Sequence, residues 1–232
     1  MTLSNQPILV FDLDDTLFSE LSYVRSGLKH VAAFAAPKLD IPEAKLNEAF
    51  LAALETGRSH IFNRGFEALG LDVTKTFIKA CVRQYRTHQP DIQLKPEAED
   101  CLERFADYRK FIVTDGNQTA QNNKIEALGL RAHVEHAFIT YRYGHKHQKP
   151  SPYCFNLIAK RTNKSPQVIV YIADNPDKDF VGIKPLGFRT IRVHTGQHSH
   201  KQPAPSHKAH ISITSLDELT DCLLDELMAG TL

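Results

Sequence analysis

The sequence predicts an α/β fold: a Rossmann-like parallel sheet with a block of α-helices inserted after the first strand. Three observations predict it. Short strand-like runs recur at 8–11, 111–113, 137–139, 168–172 and 190–193. Helical patterns alternate with these runs in the second half of the chain. Residues 18–90, by contrast, carry only helical periodicity, with no convincing strand.

Ile8, Leu9, Val10 and Phe11 form an unbroken apolar run, the pattern of a parallel strand buried on both faces. Leu21, Val24, Leu28, Val31 and Phe34 then recur three and four apart, one face of a helix punctuated by Pro37 and Pro42. Residues 46–54, 62–69 and 74–85 repeat the pattern, and Gln89-Pro90 reads as an exit linker. The α/β core is therefore expected from 1–17 and 91–232, with a helical cap from 18–90. Residues 118–128 read as a helix stopped by Gly129, and 152–159 as another. Val168 to Ile172 is the clearest buried strand. Residues 177–186 read as a helix ended by Gly187, and 190–193 and 210–213 as short strands. Leu216, Leu219, Leu223 and Leu227 form the stripe of a closing helix, and Pro203 and Pro205 mark 195–207 as a surface loop.

Composition narrows the function. A length of 232 residues suits one domain with an insertion. A net charge of +1 supplies no field for nucleic acid or an anionic membrane. Cys81, Cys101, Cys154 and Cys222 form no C-x-x-C pair and are expected as reduced thiols. Residues 1–7 carry no Lys or Arg, and the apolar run behind them is too short for a signal peptide or a spanning helix. The expected location is the cytoplasm, and the expected assembly a monomer or homodimer. Neither phosphate-loop nor dinucleotide-binding glycine motif is present, which argues against a nucleotide switch. His194, His198, His200 and His207 lack tight ligand spacing and read as a solvated loop.

The chemistry gathers where strands end. Asp12-Leu13-Asp14-Asp15-Thr16 follows the first strand directly. Residues two apart in an extended chain point the same way, so Asp12 and Asp14 can approach one site. Carboxylates there suit a hard divalent cation, and a carboxylate can also attack phosphorus. Thr114-Asp115-Gly116-Asn117 offers a hydroxyl and backbone N–H groups for phosphate oxygens. Lys149 could neutralise phosphoryl charge, and Asp174 could supply a further metal oxygen. In an open parallel sheet, ligands bind at the carboxyl ends of the strands, where all four groups fall.

These segments resemble the four motifs of the haloacid dehalogenase superfamily, from Ile8 to about Val193. Asp-Leu-Asp-Asp-Thr-Leu is similar to the first motif and Thr114 to the second. Lys149 to Phe155 is similar to the third, and Asp174 to Asp179, with two acids five apart, to the fourth. Asp15 stands where the superfamily usually has Gly, and Ala173 where Gly commonly precedes the acid. Lys146 rivals Lys149 but lacks the following Pro-Ser-Pro.

The resemblance implies a Mg²⁺-dependent phosphatase acting on a small phosphate monoester, a sugar phosphate, nucleotide or similar. Asp12 would be the nucleophile and Asp14 the acid–base, and the presence of Asp14 sets the chain apart from carbon–halogen hydrolases, which lack it. Thr114, Asp115 and Lys149 would bind the phosphoryl group. The Asp12 carboxylate, the Asp14 backbone carbonyl and Asp174 would hold the metal. Asp179 would orient Lys149 or a metal-bound water, with Asn175 or Asn117 as further contacts. The cap would close over the site and set substrate choice, with Tyr23, Arg25, Arg58, Asn63 and Arg64 as polar candidates. A phosphomutase or phosphotransferase shares the same core residues, and a non-enzymatic phospho-acceptor domain is the rival from another class.

Overall fold

Six parallel strands build one sheet: β1 (Ile8–Phe11), β2 (Lys110–Thr114), β3 (His136–Ile139), β4 (Ile169–Ala173), β5 (Arg189–Val193) and β6 (Ile211–Ile213). The structure is a computed structural model and describes residues 6–230. Residues 1–5, most of the polar start noted above, lie outside the described residues. The sheet order is β3-β2-β1-β4-β5-β6. β1 is therefore central, pairing Val10 with Phe111 of β2 on one side and with Tyr171 of β4 on the other. Side chains alternate between the two faces. Ile8 and Val10 join Phe111, Val113, Ile169 and Tyr171 in one core with Phe155 and Ile158, while Leu9 and Phe11 are equally buried on the opposite face. Both faces are covered, which is why these strands read as continuous apolar runs.

The chain divides into two compact units, one of residues 1–20 and 93–232 and one of residues 21–92. The second is all-helical: α1 (Glu20–Leu39, whose first residue belongs to the first unit), α2 (Glu43–Glu55), α3 (Ile61–Ala68) and α4 (Lys75–Thr87). Its own core joins Leu28, Val31, Leu46, Phe50, Phe62 and Phe66, with Phe50 meeting the rings of Phe62 and Phe66 edge-on at 5.3 and 5.2 Å. Thr74 caps α4 by accepting from the Phe77 N–H at 3.2 Å.

The core unit adds α5 (Pro96–Arg104), α6 (Gln118–Ala127), α7 (Tyr153–Thr162) and α8 (Asp221–Ala229). Among the described residues no helix is long and apolar enough to cross a membrane.

Four sequence expectations are corrected. Pro37 does not end α1, which runs on to Leu39; a proline near a C-terminus removes a single hydrogen bond, and the chain then turns at Asp40 with φ 53°. Residues 177–186 are turns closed by a 3₁₀ turn at Lys184–Leu186, not a helix. Local bonds compete there: the Asp177 N–H goes to Asn175 Oδ1 at 3.1 Å and the Asn175 N–H to Asp179 Oδ2 at 2.9 Å. The closing helix is split into a 3₁₀ turn at Leu216–Glu218 and α8, because Thr220 caps a fresh start by accepting from the Leu223 N–H. Finally, α5 adds a helix that the sequence reading lacks, despite Pro96 at its first turn and buried Ala98, Cys101 and Leu102.

Candidate active site

Each strand delivers its last residues to the same end of the sheet. Asp12 follows β1, Thr114 ends β2, Thr140 follows β3 and Asp174 follows β4. A cavity of about 340 Å³ opens there, and every residue lining it belongs to the core unit. Asp12, Asp14, Thr114, Asp115, Lys149, Asp174 and Asn175 all line it. Asp179 stands behind the wall, fully buried and bonded to groups that do line it, and Tyr23, Arg25, Arg58, Asn63 and Arg64 are not among the lining residues. Asn117 instead caps α6, accepting from the Thr119 and Ala120 N–H groups at 3.1 and 3.2 Å. Lys146 is exposed and does not line the cavity.

Lys149 is the hub. Its Nζ lies 3.0 Å from Asp12 Oδ1 and 2.7 Å from Asp179 Oδ1, and donates to the Tyr171 hydroxyl at 2.9 Å. Burial alone would push the ammonium down, but the Asp12 and Asp179 carboxylates outweigh it and hold Lys149 well above its ordinary value. The loop that carries Lys149 is pressed close to its neighbour. A Cβ on Gly182 would fall 1.7 Å from the Pro150 carbonyl oxygen, so only glycine permits this approach.

The acids are crowded. Carboxylate oxygens of Asp12, Asp174 and Asp179 lie within 4.8 Å of one another, all buried. Burial pushes Asp12 up from 3.8 to about 6, with Lys149 pulling the other way. Burial, then Asp12 and Asp179, push Asp174 up to about 9. One ammonium does not neutralise this cluster. A small divalent cation with a preference for oxygen ligands fits its charge and donor set.

Asp14 turns its carboxylate elsewhere. Oδ1 pairs with Lys124 Nζ at 2.6 Å and Oδ2 accepts from Gln121 Nε2 at 2.8 Å. Asp115 also has partners: Oδ1 accepts from Thr140 Oγ1 at 2.6 Å and from the Lys149 N–H at 3.1 Å, and Oδ2 pairs with Lys178 Nζ at 3.1 Å. Burial would raise the Asp115 carboxyl, but Lys149 and Lys178 bring it below its ordinary value. Asp15 adopts the left-handed region at φ 56°, tolerable for a short polar side chain. It is tied down on all sides, its carbonyl accepting from Lys95 Nζ at 2.8 Å and Thr195 Oγ1 at 2.5 Å. Gly196 meets its carboxyl so closely that a Cβ there would lie 2.1 Å from Asp15 Cγ.

Sequence reasoning missed Gln121, Lys124, Tyr171, Lys178, Gln197 and His198. Gln121 and Lys124 sit a turn apart where a helix facing the sheet would ordinarily be apolar. Tyr171 is the lone hydroxyl in the most apolar strand. Gln197 and His198 lie in the stretch expected to be a solvated loop, yet both line the cavity.

A sequence model described as haloacid dehalogenase-like hydrolase matches residues 7–187. The chain belongs to that family. The structural likeness agrees in fold: a HAD hydrolase, YfnB of Bacillus subtilis, solved bound to magnesium, superposes with a TM-score of 0.66 at 19% identity, covering 94% of this chain and 99% of that one. Among curated relatives, a glyceraldehyde 3-phosphate phosphatase of Pyrococcus furiosus is 28% identical over 225 residues, 93% of this chain and 92% of the relative. A phosphoserine phosphatase of Thermus thermophilus is 26% identical over 230 residues, 82% of this chain and 89% of the relative. Within the haloacid dehalogenase-like family, the chain is a phosphoric monoester hydrolase.

Proposed function

We propose that the enzyme is a Mg²⁺-dependent phosphatase that hydrolyses a small phosphate monoester through an aspartyl phosphate on Asp12. The observation that carries this reading is the buried cluster of Asp12, Asp174 and Asp179 around Lys149, opening on a cavity that also holds Asp14 and Thr114. Asp12 and Asp174, with the Asp14 backbone carbonyl, would hold the cation, which when bound supplies positive charge beside the phosphoryl oxygens.

Asp12 attacks phosphorus in line with the ester oxygen, and Asp14 gives a proton to that oxygen as it leaves. Water then cleaves the aspartyl phosphate and returns a proton to Asp14. Lys149 and Thr114 hold the phosphoryl oxygens through both transfers, and Asp179 keeps Lys149 in place. Lys178, raised above its ordinary value despite burial and Lys149 by Asp12, Asp115 and Asp179, adds a second cation at the rim.

The relatives named above are phosphatases of glyceraldehyde 3-phosphate and phosphoserine, both three-carbon monoesters. A cavity of about 340 Å³ suits an ester of that size. The helical unit, residues 21–92, is proposed as the cap that governs substrate choice.

The test is turnover of p-nitrophenyl phosphate and of a panel of three-carbon phosphate monoesters. Activity should require Mg²⁺, disappear with EDTA and fall at least about 10³-fold in Asp12→Asn, which removes the nucleophile. Turnover that persists in Asp12→Asn, or absence of turnover across the panel, would sink the reading.

A further inference from the structure

Gln121 and Lys124 lie three residues apart on α6, so both present to one side of the helix. Both are buried, at 2% and 4% exposure. A buried lysine is costly unless paired, and apolar side chains would pack a helix against a sheet more simply. Packing therefore does not account for these two residues; their partners do. Lys124 Nζ holds Asp14 Oδ1 at 2.6 Å, while Gln121 Nε2 reaches both Asp14 Oδ2 at 2.8 Å and Thr114 Oγ1 at 2.6 Å.

The direction of each bond follows from the donor inventory. A carboxylate only accepts, so Gln121 must turn its NH₂ toward Asp14. The same NH₂ then donates to Thr114 Oγ1, which leaves the Thr114 hydroxyl hydrogen to point elsewhere. Thr114 lines the cavity, where a phosphoryl oxygen would accept that hydrogen. Gly116 makes room for the arrangement, since a Cβ there would meet Gln121 Cγ and Cδ at 3.1 Å.

We propose that Gln121 and Lys124 form a clamp that positions Asp14 for proton transfer and orients the Thr114 hydroxyl toward the phosphoryl group. The proposal rests on the phosphatase reading above. In the first transfer an Asp12 oxygen bonds to phosphorus, the ester P–O bond breaks, and the Asp14 proton goes to the leaving oxygen. In the second, water oxygen bonds to phosphorus, the Asp12–phosphorus link breaks, and a water proton returns to Asp14. The clamp engages one lone pair on each Asp14 oxygen and leaves the other for that proton. Both act through Asp14 and Thr114 and not on phosphorus or the leaving oxygen, so both are positioning residues.

The test compares two esters that differ in their need for a proton. p-Nitrophenolate leaves unaided, whereas the alkoxide of glycerol phosphate must be protonated. kcat/KM is the quantity to read, because it covers only the steps through departure of the leaving group. With Mg²⁺ present, Lys124→Met should lower kcat/KM for glycerol phosphate about 100-fold and for p-nitrophenyl phosphate less than about fivefold. Lys124→Arg should recover most of the alkyl rate, and Gln121→Leu, which also frees the Thr114 hydroxyl, should lower both esters and glycerol phosphate the more. Equal losses on both esters in Gln121→Leu and Lys124→Arg overturn the clamp, even if Lys124→Met does not fold. A wild-type enzyme active on both esters, with no split in any variant, sinks the clamp alone. A wild-type enzyme inactive on both and on the rest of the three-carbon panel sinks the phosphatase reading and the clamp with it; one active only on another alkyl ester of the panel is tested with that ester in place of glycerol phosphate.

Discussion

Tyr171 joins packing to chemistry through one hydroxyl. Its ring packs edge-on against Phe155 at 4.7 Å, so the strand position is apolar in every respect but one. The hydroxyl accepts from Lys149 and donates to Asp179 at 3.3 Å. Tyr171→Phe keeps the ring and removes the bridge between a buried cation and a buried anion. Urea unfolding should show a loss of about 1–3 kcal/mol, the usual effect of losing hydrogen bonds to buried charged groups. Turnover should fall about tenfold as Lys149 loses a fixed point. No change in either quantity would mean that Asp12 and Asp179 hold Lys149 unaided.

At the scale of elements, α2 and α3 offer a test in which two effects oppose each other. Gly65 sits inside α3, where glycine costs about 1 kcal/mol against alanine. A Cβ there would lie 2.4 Å from Phe50 Cδ1. Overpacking of that kind costs about 1–3 kcal/mol, so Gly65→Ala should lower the melting temperature despite the better helix former. A higher one would show that the Phe50 ring yields. The same balance explains what the sequence disclosed. β1 and β4 were legible because full burial leaves continuous apolar runs, α1 to α3 because their buried residues recur at helical spacing, and α4 because Phe77, Ile78, Cys81, Val82 and Tyr85, most only partly buried, do the same. The strand-end acids, Thr114 and Lys149 were legible because chain order alone puts polar residues after apolar runs. Gln121, Lys124 and Tyr171 were hidden because each occupies a position that periodicity assigns to the core; only the third dimension supplies Asp14 and Lys149 as partners. The 177–186 stretch misled because Asn175 and Asp179 bond locally in place of a helix.

For the whole molecule, pH dependence has a source away from the acids. His210, just before β6, is pushed from 6.5 down to about 4 by burial, with Lys184 and Arg189 adding to the shift. Its Nδ1 accepts from the Thr190 N–H at 3.2 Å, a bond that a proton on Nδ1 would break. Between those two values the unfolded chain binds more protons than the folded one, so stability falls as pH drops from about 6.5 toward about 4. Discounted for partial exposure, the loss is about 1–2 kcal/mol. Urea midpoints at pH 7 and pH 5 isolate it as the difference between the native protein and His210→Gln, because the raised Asp12 and Asp174 act in the opposite direction in both. An unchanged difference in the variant would assign the acid sensitivity to other groups.

The central place of β1 also sets an order in time. Leu9 finds its first sheet neighbour at Lys110, and Ile8 its second at Ile169. On a ribosome adding about 5–20 residues per second, the first strand waits several seconds or more without a partner. Asp12 is among the earliest residues made, and Asp174 and Asp179 among the later ones. A nascent chain, or one cut short before them, carries Asp12 without the two acids that crowd it, so the buried cluster comes into being only after β4 has been made.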